Sequence, residues 1–148
     1  MNQSFKQAGE VVQSFVTINK EVINFTHQNA SSLGLTVQQM GILNTIYTNP
    51  NITLKEISSR LSVPKSTVSV NIDELVNIGF IVREQSHEDR REIKLKVTTQ
   101  GQEVSKTSIK NSTSYKAMTE ALQRLSEDDI QTLLRIHKDI LTSLQQFR

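Results

Sequence analysis

Residues Thr53 to Val97 read TLKEISSRLSVPKSTVSVNIDELVNIGFIVREQSHEDRREIKLKV, and their apolar period changes along the way. At first it is helical. Leu54, Ile57 and Leu61 recur at three and four residues on one face, while Lys55, Glu56, Ser59 and Arg60 point elsewhere. Thr53 is placed to cap this helix, with Glu56 three residues on at the capping-box spacing. Pro64 cannot continue a helix but suits the first turn of a new one, so Ser62-Val63-Pro64 predicts a tight turn. A second helix is expected from about residue 65 to 78, with Gly79 as its left-handed cap. The period then drops to two. Phe80-Ile81-Val82 opens a strand, and Ile93, Leu95 and Val97 alternate with Glu92, Lys94 and Lys96 in another.

The second helix has two unlike faces. Val68, Ile72, Leu75 and Val76 form a core stripe, and Ser66, Val70, Asp73 and Asn77 lie opposite, with Lys65, Thr67, Ser69 and Asn71 on the flanks. Short hydroxyl and amide side chains crowd its first half. They offer donors and acceptors to base edges and nothing bulky enough to hold a helix out of a major groove. Ser66, Thr67, Ser69, Val70 and Asn71 are therefore candidates for base edges or groove walls, and Lys65 for a phosphate. Val70 is apolar on the wet face; a thymine methyl would account for it, although single exposed valines need no account. Between the strands, Ser86-His87-Glu88-Asp89-Arg90-Arg91 is a polar tip ending in adjacent arginines. Such a tip can carry a guanidinium into a narrow minor groove. Helix, turn, helix and basic-tipped hairpin together predict a winged helix-turn-helix that binds duplex DNA.

The segment resembles the MarR family of bacterial transcription regulators. Ser66-Thr67-Val68 opens the second helix, Ile72-Asp73-Glu74-Leu75 is followed by Gly79, and Arg83 comes early in the hairpin. Asp89-x-Arg91 follows, then Val97-Thr98 and Gly101, where the family usually has Leu-Thr and Gly. The resemblance implies that Asp89 holds Arg91, which enters the minor groove, with Arg90 nearby on phosphate. Without it, Asp89 and Arg91 would read as a solvated surface pair contributing little. Asp73, an acid on the DNA-facing side, is expected to orient an arginine. The resemblance further implies a repressor, respaced by a small aromatic or phenolic effector between its lobes, and needing no cofactor.

At 148 residues, with five Phe, two Tyr and no Trp, the chain suits one domain with a mainly aliphatic core. Net charge is only +2, and residues 53–98 carry eight Lys/Arg against seven Asp/Glu. Affinity for DNA must come from where charges point rather than from their number. The absence of cysteine excludes disulfides, thiolate zinc sites and the cysteine-based peroxide sensing of some members of the resembled family. No apolar run approaches the roughly 20 residues of a membrane span. Lys6, Glu10, Lys20 and Glu21 interrupt any signal core, so a cytoplasmic protein without a membrane partner is expected.

On either side, helical seams dominate. Residues 4–28 read as one helix with Phe5, Ala8, Val12, Phe15 and Val22 on one seam and Val11, Ile18 and Phe25 on a second. Such an arc is either buried within its own domain or packed against a second subunit. Asn29 to Gly34 reads as a polar loop. Thr36 begins a scaffold helix through Met40, Leu43, Ile46 and Tyr47, closed by Asn49-Pro50-Asn51, and Ile52 is expected to pair briefly with the hairpin. Thr98 or Thr99 begins a helix expected to run towards Leu125. Its serine- and threonine-rich middle, residues 105–114, reads as solvated helix surface or as a flexible connection. Ser126-x-x-Asp129 caps a last helix with a strong seam from Ile130 through Leu133, Leu134, His137, Ile140, Leu141 and Leu144 to Phe147.

The expected fold is therefore mainly α with a small β-hairpin. A single MarR-type domain spans residues 1–148, with a winged helix-turn-helix lobe over about 35–98. The helices of about 1–30 and 99–148 form a dimerisation region. As a homodimer it would read an inverted-repeat operator, since two-fold symmetry spaces two reading helices about one DNA turn apart. Catalysis is not expected. His27, His87 and His137 fit no metal or catalytic spacing, and Asp128 and Asp129 lie where a helix's first turn favours acids. The alternative function is a winged-helix protein-interaction module, which would bind with little dependence on salt.

Overall fold

The structure, a computed structural model, describes residues 2–147. In order the elements are α1 (Gln3–Ser32), α2 (Val37–Thr48), β1 (Ile52–Thr53), α3 (Leu54–Leu61), α4 (Lys65–Asn77), β2 (Ile81–Gln85), β3 (Ile93–Val97), α5 (Thr99–Lys110), α6 (Thr113–Leu122) and α7 (Glu127–Gln146). The chain is mainly helical with a three-stranded antiparallel sheet in the order β1-β3-β2. Two compact units divide after Thr113.

In the first unit the core is aliphatic, as expected. Ile42, Leu43 and Ile46 of α2, Ile57 of α3, and Val68, Ile72 and Leu75 of α4 are buried together with Ile81 and Leu95 of the hairpin. The short strand also forms, with Ile52 opposite Leu95. Ile93 departs from the alternating pattern and is exposed. Thr36 and Gln39 make a full capping box at the start of α2. At α3 only half of that arrangement forms: Glu56 N–H donates to the Thr53 hydroxyl, and the Glu56 carboxylate accepts from the same hydroxyl rather than from a backbone N–H.

The junction behind the hairpin explains Thr98 and Gly101. Thr98 Oγ1 donates to the Gly79 carbonyl at 2.6 Å and accepts from Gly101 N–H at 3.0 Å, so one hydroxyl closes α4 and opens α5. A Cβ on Gly101 would collide with the Phe80 carbonyl, so only glycine permits this approach. Gly79 takes the left-handed φ of 85° expected of the cap.

Three expectations change. First, α1 continues through Asn29–Ser32 instead of giving way to a loop, and Gly34 follows at φ 72°. Asn29 and Ala30 are buried there, and the Asn29 amide donates to the Ser108 carbonyl at 3.0 Å. Tertiary contact outweighs a loop-like composition. Second, the helix after the hairpin is broken: α5 ends at Lys110, with Asn111 as its cap, and α6 starts at Thr113. Third, its serines are not all solvated. Ser105 and Ser108 are 0% and 2% exposed, because a polar partner from α2 meets them.

The outer helices bury little. In α1 only Asn29 and Ala30 are buried, and Phe5, Val12 and Ile18 stand exposed, so its own unit does not cover that seam. In the second unit α7 starts at Ser126, whose hydroxyl accepts from Asp129 N–H at 3.1 Å, with Glu127, Asp128 and Asp129 in its first turn. No residue of α6 or α7 is buried, and Leu134, Leu141 and Leu144 are exposed. His137 is likewise exposed. Among the described residues no helix is long and apolar enough to cross a membrane.

Candidate nucleic-acid interface

Helix α4 is seated by Val68, Ile72 and Leu75, which turns the other side of the helix outward. Its N-cap is Pro64, and no side chain caps that end. The first N–H groups thus retain their capacity to bind an anion, strengthened by the positive end of the helix dipole. Lys65 and Ser66 are exposed there, and Thr67 and Ser69 are half-buried.

Asn71 differs from its expected place. It lies three residues after Val68 and four before Leu75, on the flank that faces α2, and is 8% exposed. Its Nδ2 donates to Gln38 Oε1 at 3.1 Å and to the Thr67 carbonyl at 2.9 Å. Both amide protons are spent inside the lobe, so Asn71 holds α4 against α2. Val70 is exposed but not isolated: with Val37, Leu61 and Val63 it lines an open groove of about 980 Å³ between α2 and α4.

The wing is built from β2 and β3, in register from Ile81 opposite Val97 to Gln85 opposite Ile93. Ser86, buried at the tip, organises the turn. Its hydroxyl accepts from the N–H groups of Glu88 and Asp89, both at 3.3 Å, while its own N–H donates to the Glu92 carbonyl at 3.0 Å. Asp89 Oδ1 then accepts from Arg91 N–H at 3.0 Å and stands 3.6 Å from Arg91 Nε. Asp89 thus fixes the backbone at Arg91 and leaves its side chain 94% exposed, an arginine presented outward from a constrained turn. Arg90 is exposed as well, and its carbonyl accepts from Gln85 Nε2 at 2.9 Å.

Asp73 pairs with Arg83 of β2, tying α4 to the wing. The pair offsets a carboxylate that would otherwise repel phosphate. Arg83, Arg91, Lys55 and Lys65 surround a cleft of about 450 Å³ with Ile72 and Leu95 among its apolar lining. Lys55 and Arg83 carry no cue of this in the local pattern. The signal for Arg83 is Asp73 ten residues earlier, an acid expected to orient an arginine; for Lys55 it is that a helix-turn-helix sets the starts of its two helices side by side. On the wing, Lys96 Nζ lies 2.6 Å from the Glu84 carboxylate across the two strands. That hydrogen bond, then the Lys96 charge, hold the Glu84 carboxyl below its ordinary range, with smaller help from His87 and Lys94. No group of three or more His, Cys, Asp or Glu among the described residues could hold a metal ion.

Comparison with known proteins points to one family. The model of the MarR family matches residues 35–93. The chain is similar to the multiple antibiotic-resistance repressor (MarR) from Listeria monocytogenes 4b F2365. The two are 32% identical with a TM-score of 0.67, over 97% of this chain and 99% of that one. It is also similar to Staphylococcus aureus MarR in complex with salicylate and kanamycin, at 25% identity and a TM-score of 0.82, over 95% and 94% of the two chains. A curated relative, the uncharacterized HTH-type transcriptional regulator YkoM of Bacillus subtilis (strain 168), is 28% identical over 101 residues, 68% of this chain. That match spans 66% of YkoM, just under two thirds of its length.

Proposed function

Since this chain belongs to the MarR family of DNA-binding, non-catalytic regulators, we propose that it is a cytoplasmic repressor whose homodimer binds an inverted-repeat operator and is released by a small effector. The observation that carries the DNA reading is the exposed Arg91 guanidinium on its fixed turn, beside the uncapped start of α4. In this reading Ser66, Thr67 and Ser69 meet base edges or groove walls, and Lys65 and Arg90 meet phosphate. Arg91, oriented by Asp89, enters the minor groove. Residues of about 35–98 form the DNA-binding lobe. The helices of about 1–30 and 99–148 form the dimer base, a role supported by the exposed apolar seams of α1 and α7.

Repression is supported by the name of the Listeria relative, and a small effector by the Staphylococcus complex with salicylate and kanamycin. The cleft framed by Lys55, Lys65, Arg83 and Arg91 suits an aromatic anion, with cations at its rim and apolar side chains within. A ligand there would occupy the cations that DNA phosphates need, and so favour the unbound protein.

The test is to enrich genomic fragments on the purified protein, sequence them, and titrate the resulting duplex by fluorescence anisotropy at rising salt. An inverted repeat should emerge, and the logarithm of affinity should fall with that of salt by about 0.9 for each phosphate neutralised. Affinity indifferent to salt, with no repeat enriched, refutes the reading and favours a protein partner.

A further inference from the structure

Behind the reading helix, three helices meet through polar groups where an aliphatic contact would have buried as much surface. Asn44 of α2 is the hub. Its Oδ1 accepts from Ser105 Oγ of α5 at 2.5 Å and lies 3.0 Å from Ser108 Oγ of the same helix, whose one proton it shares with the Ser105 carbonyl at 2.9 Å. Asn29 of α1 joins through its amide, which donates to the Ser108 carbonyl at 3.0 Å. Ser105, Ser108 and Asn29 are buried, and no buried side-chain nitrogen or oxygen among the described residues lacks a partner. An apolar contact is non-directional and lets packed helices slide, whereas a fully satisfied buried network admits one arrangement.

The other flank of α2 is tied to the reading helix. Gln38 Oε1 accepts from Asn71, and Gln39 Nε2 donates to Glu74 Oε2 at 2.5 Å. Helix α2 is therefore pinned at one place to α5, which in turn holds α1 through Asn29, and at another to α4.

We propose that Asn44 is a positioning residue that sets where α4 stands relative to α1 and α5, and thereby how strictly the dimer reads the spacing of two half-sites. The inference rests on the operator reading above, in which the exposed seam of α1 packs on a second copy. Each half-site is then read by a helix whose distance from the dimer base is held through Asn44. Removing the hub leaves base and phosphate contacts in place and loosens only the frame that carries them.

The experiment compares wild type, Asn44→Leu, Asn44→Asp and the double variant Ser105→Ala, Ser108→Ala on three duplexes. One carries the enriched repeat at natural spacing, and the others have one base pair added or removed between half-sites. Asn44→Leu and the serine double variant should stay dimeric by sedimentation but lose about fivefold in affinity at natural spacing, and much less on the altered duplexes. Asn44→Asp keeps an oxygen for both hydroxyls and should discriminate like wild type. Equal losses on all three duplexes, or an Asp variant that behaves as the Leu variant does, overturn the proposal. If the wild type discriminates and Asn44→Leu discriminates equally, only this inference falls. If the wild type ignores spacing, the operator reading falls and takes the inference with it.

Discussion

The lobe between Leu35 and Val97 and the helix α7 are built from similar apolar periodicities, yet they end in opposite states. In the lobe α2, α3 and α4 turn their stripes onto one another and the sheet, and only Val70, Ile78, Val82 and Ile93 remain exposed among its large apolar side chains. Along α7 nothing is buried, and Leu144 is 64% exposed. The far end of α1 behaves as α7 does, with Phe5 69% exposed. A helical seam thus announces a face that must be covered without saying by what. Short helices joined by tight turns can only cover each other, whereas long ones leave length over. Under the proposed reading of paired half-sites, that excess would be the material for a second copy.

The widest gap between the two regions should appear on placing charge in the exposed seam. Leu134→Asp with Leu141→Asp would put four carboxylates into the proposed two-fold interface. If each buried leucine contributes about 1.5–3 kcal/mol, dimerisation should weaken by at least about a thousandfold. Sedimentation equilibrium reads this directly, and operator binding should fall with it. Val82→Asp, also exposed but in the lobe, should change neither. A double variant that remains dimeric at low micromolar concentration removes α7 from the interface.

Inside the lobe the sharpest lever is Gly101. Its missing Cβ makes room for the Phe80 carbonyl, which is itself held by Thr98 N–H at 3.0 Å and cannot withdraw. Gly101→Ala should cost about 3 kcal/mol and lower the melting temperature by about 10 °C. Gly9, on the exposed face of α1, has nothing within 4 Å of where a Cβ would sit, and should accept alanine with a slight gain. Thermal unfolding of the two variants side by side measures the contrast, and equal melting temperatures break it.

These two regions also divide what the sequence makes legible. Val68, Ile72 and Leu75 can be read because burial there repeats with the helix. The pairing of Asp73 with Arg83 is half legible, as an acid in need of a cation. Asn44 is not, since its partners lie 61 and 64 residues away and nothing in Ile42-Leu43-Asn44 announces them. The serines at 105 and 108 look like solvent-facing residues until that amide is set against them. Asn71 misleads for a related reason: a polar side chain on the flank of a helix can face a neighbouring helix as readily as water.

Arg91 tests the exposed tip of the lobe. Arg91→Ala should weaken operator binding at least about tenfold and reduce the salt slope by about one, leaving dimerisation unchanged. Unchanged affinity in the anisotropy titration removes the wing arginine from the proposed interface.

The smallest effect belongs to the cross-strand pair on the wing. Lys96 lowers the pKa of Glu84 in the folded protein relative to its ordinary value of 4.5. A carboxyl with a depressed folded pKa binds protons more readily when unfolded, so stability rises with pH across the interval between the two values. The contribution is complete above about 4.5 and is lost as pH falls through the lower, folded value. Both side chains are about half exposed, so water and salt screen the pair and its share is small. Glu84→Gln should therefore melt slightly below wild type at pH 7, and the difference should close as pH falls below 4.5. Added salt at pH 7 should close it too. A difference that widened in acid would mean that Glu84 is stabilised in its protonated form, and would reverse the role assigned to Lys96.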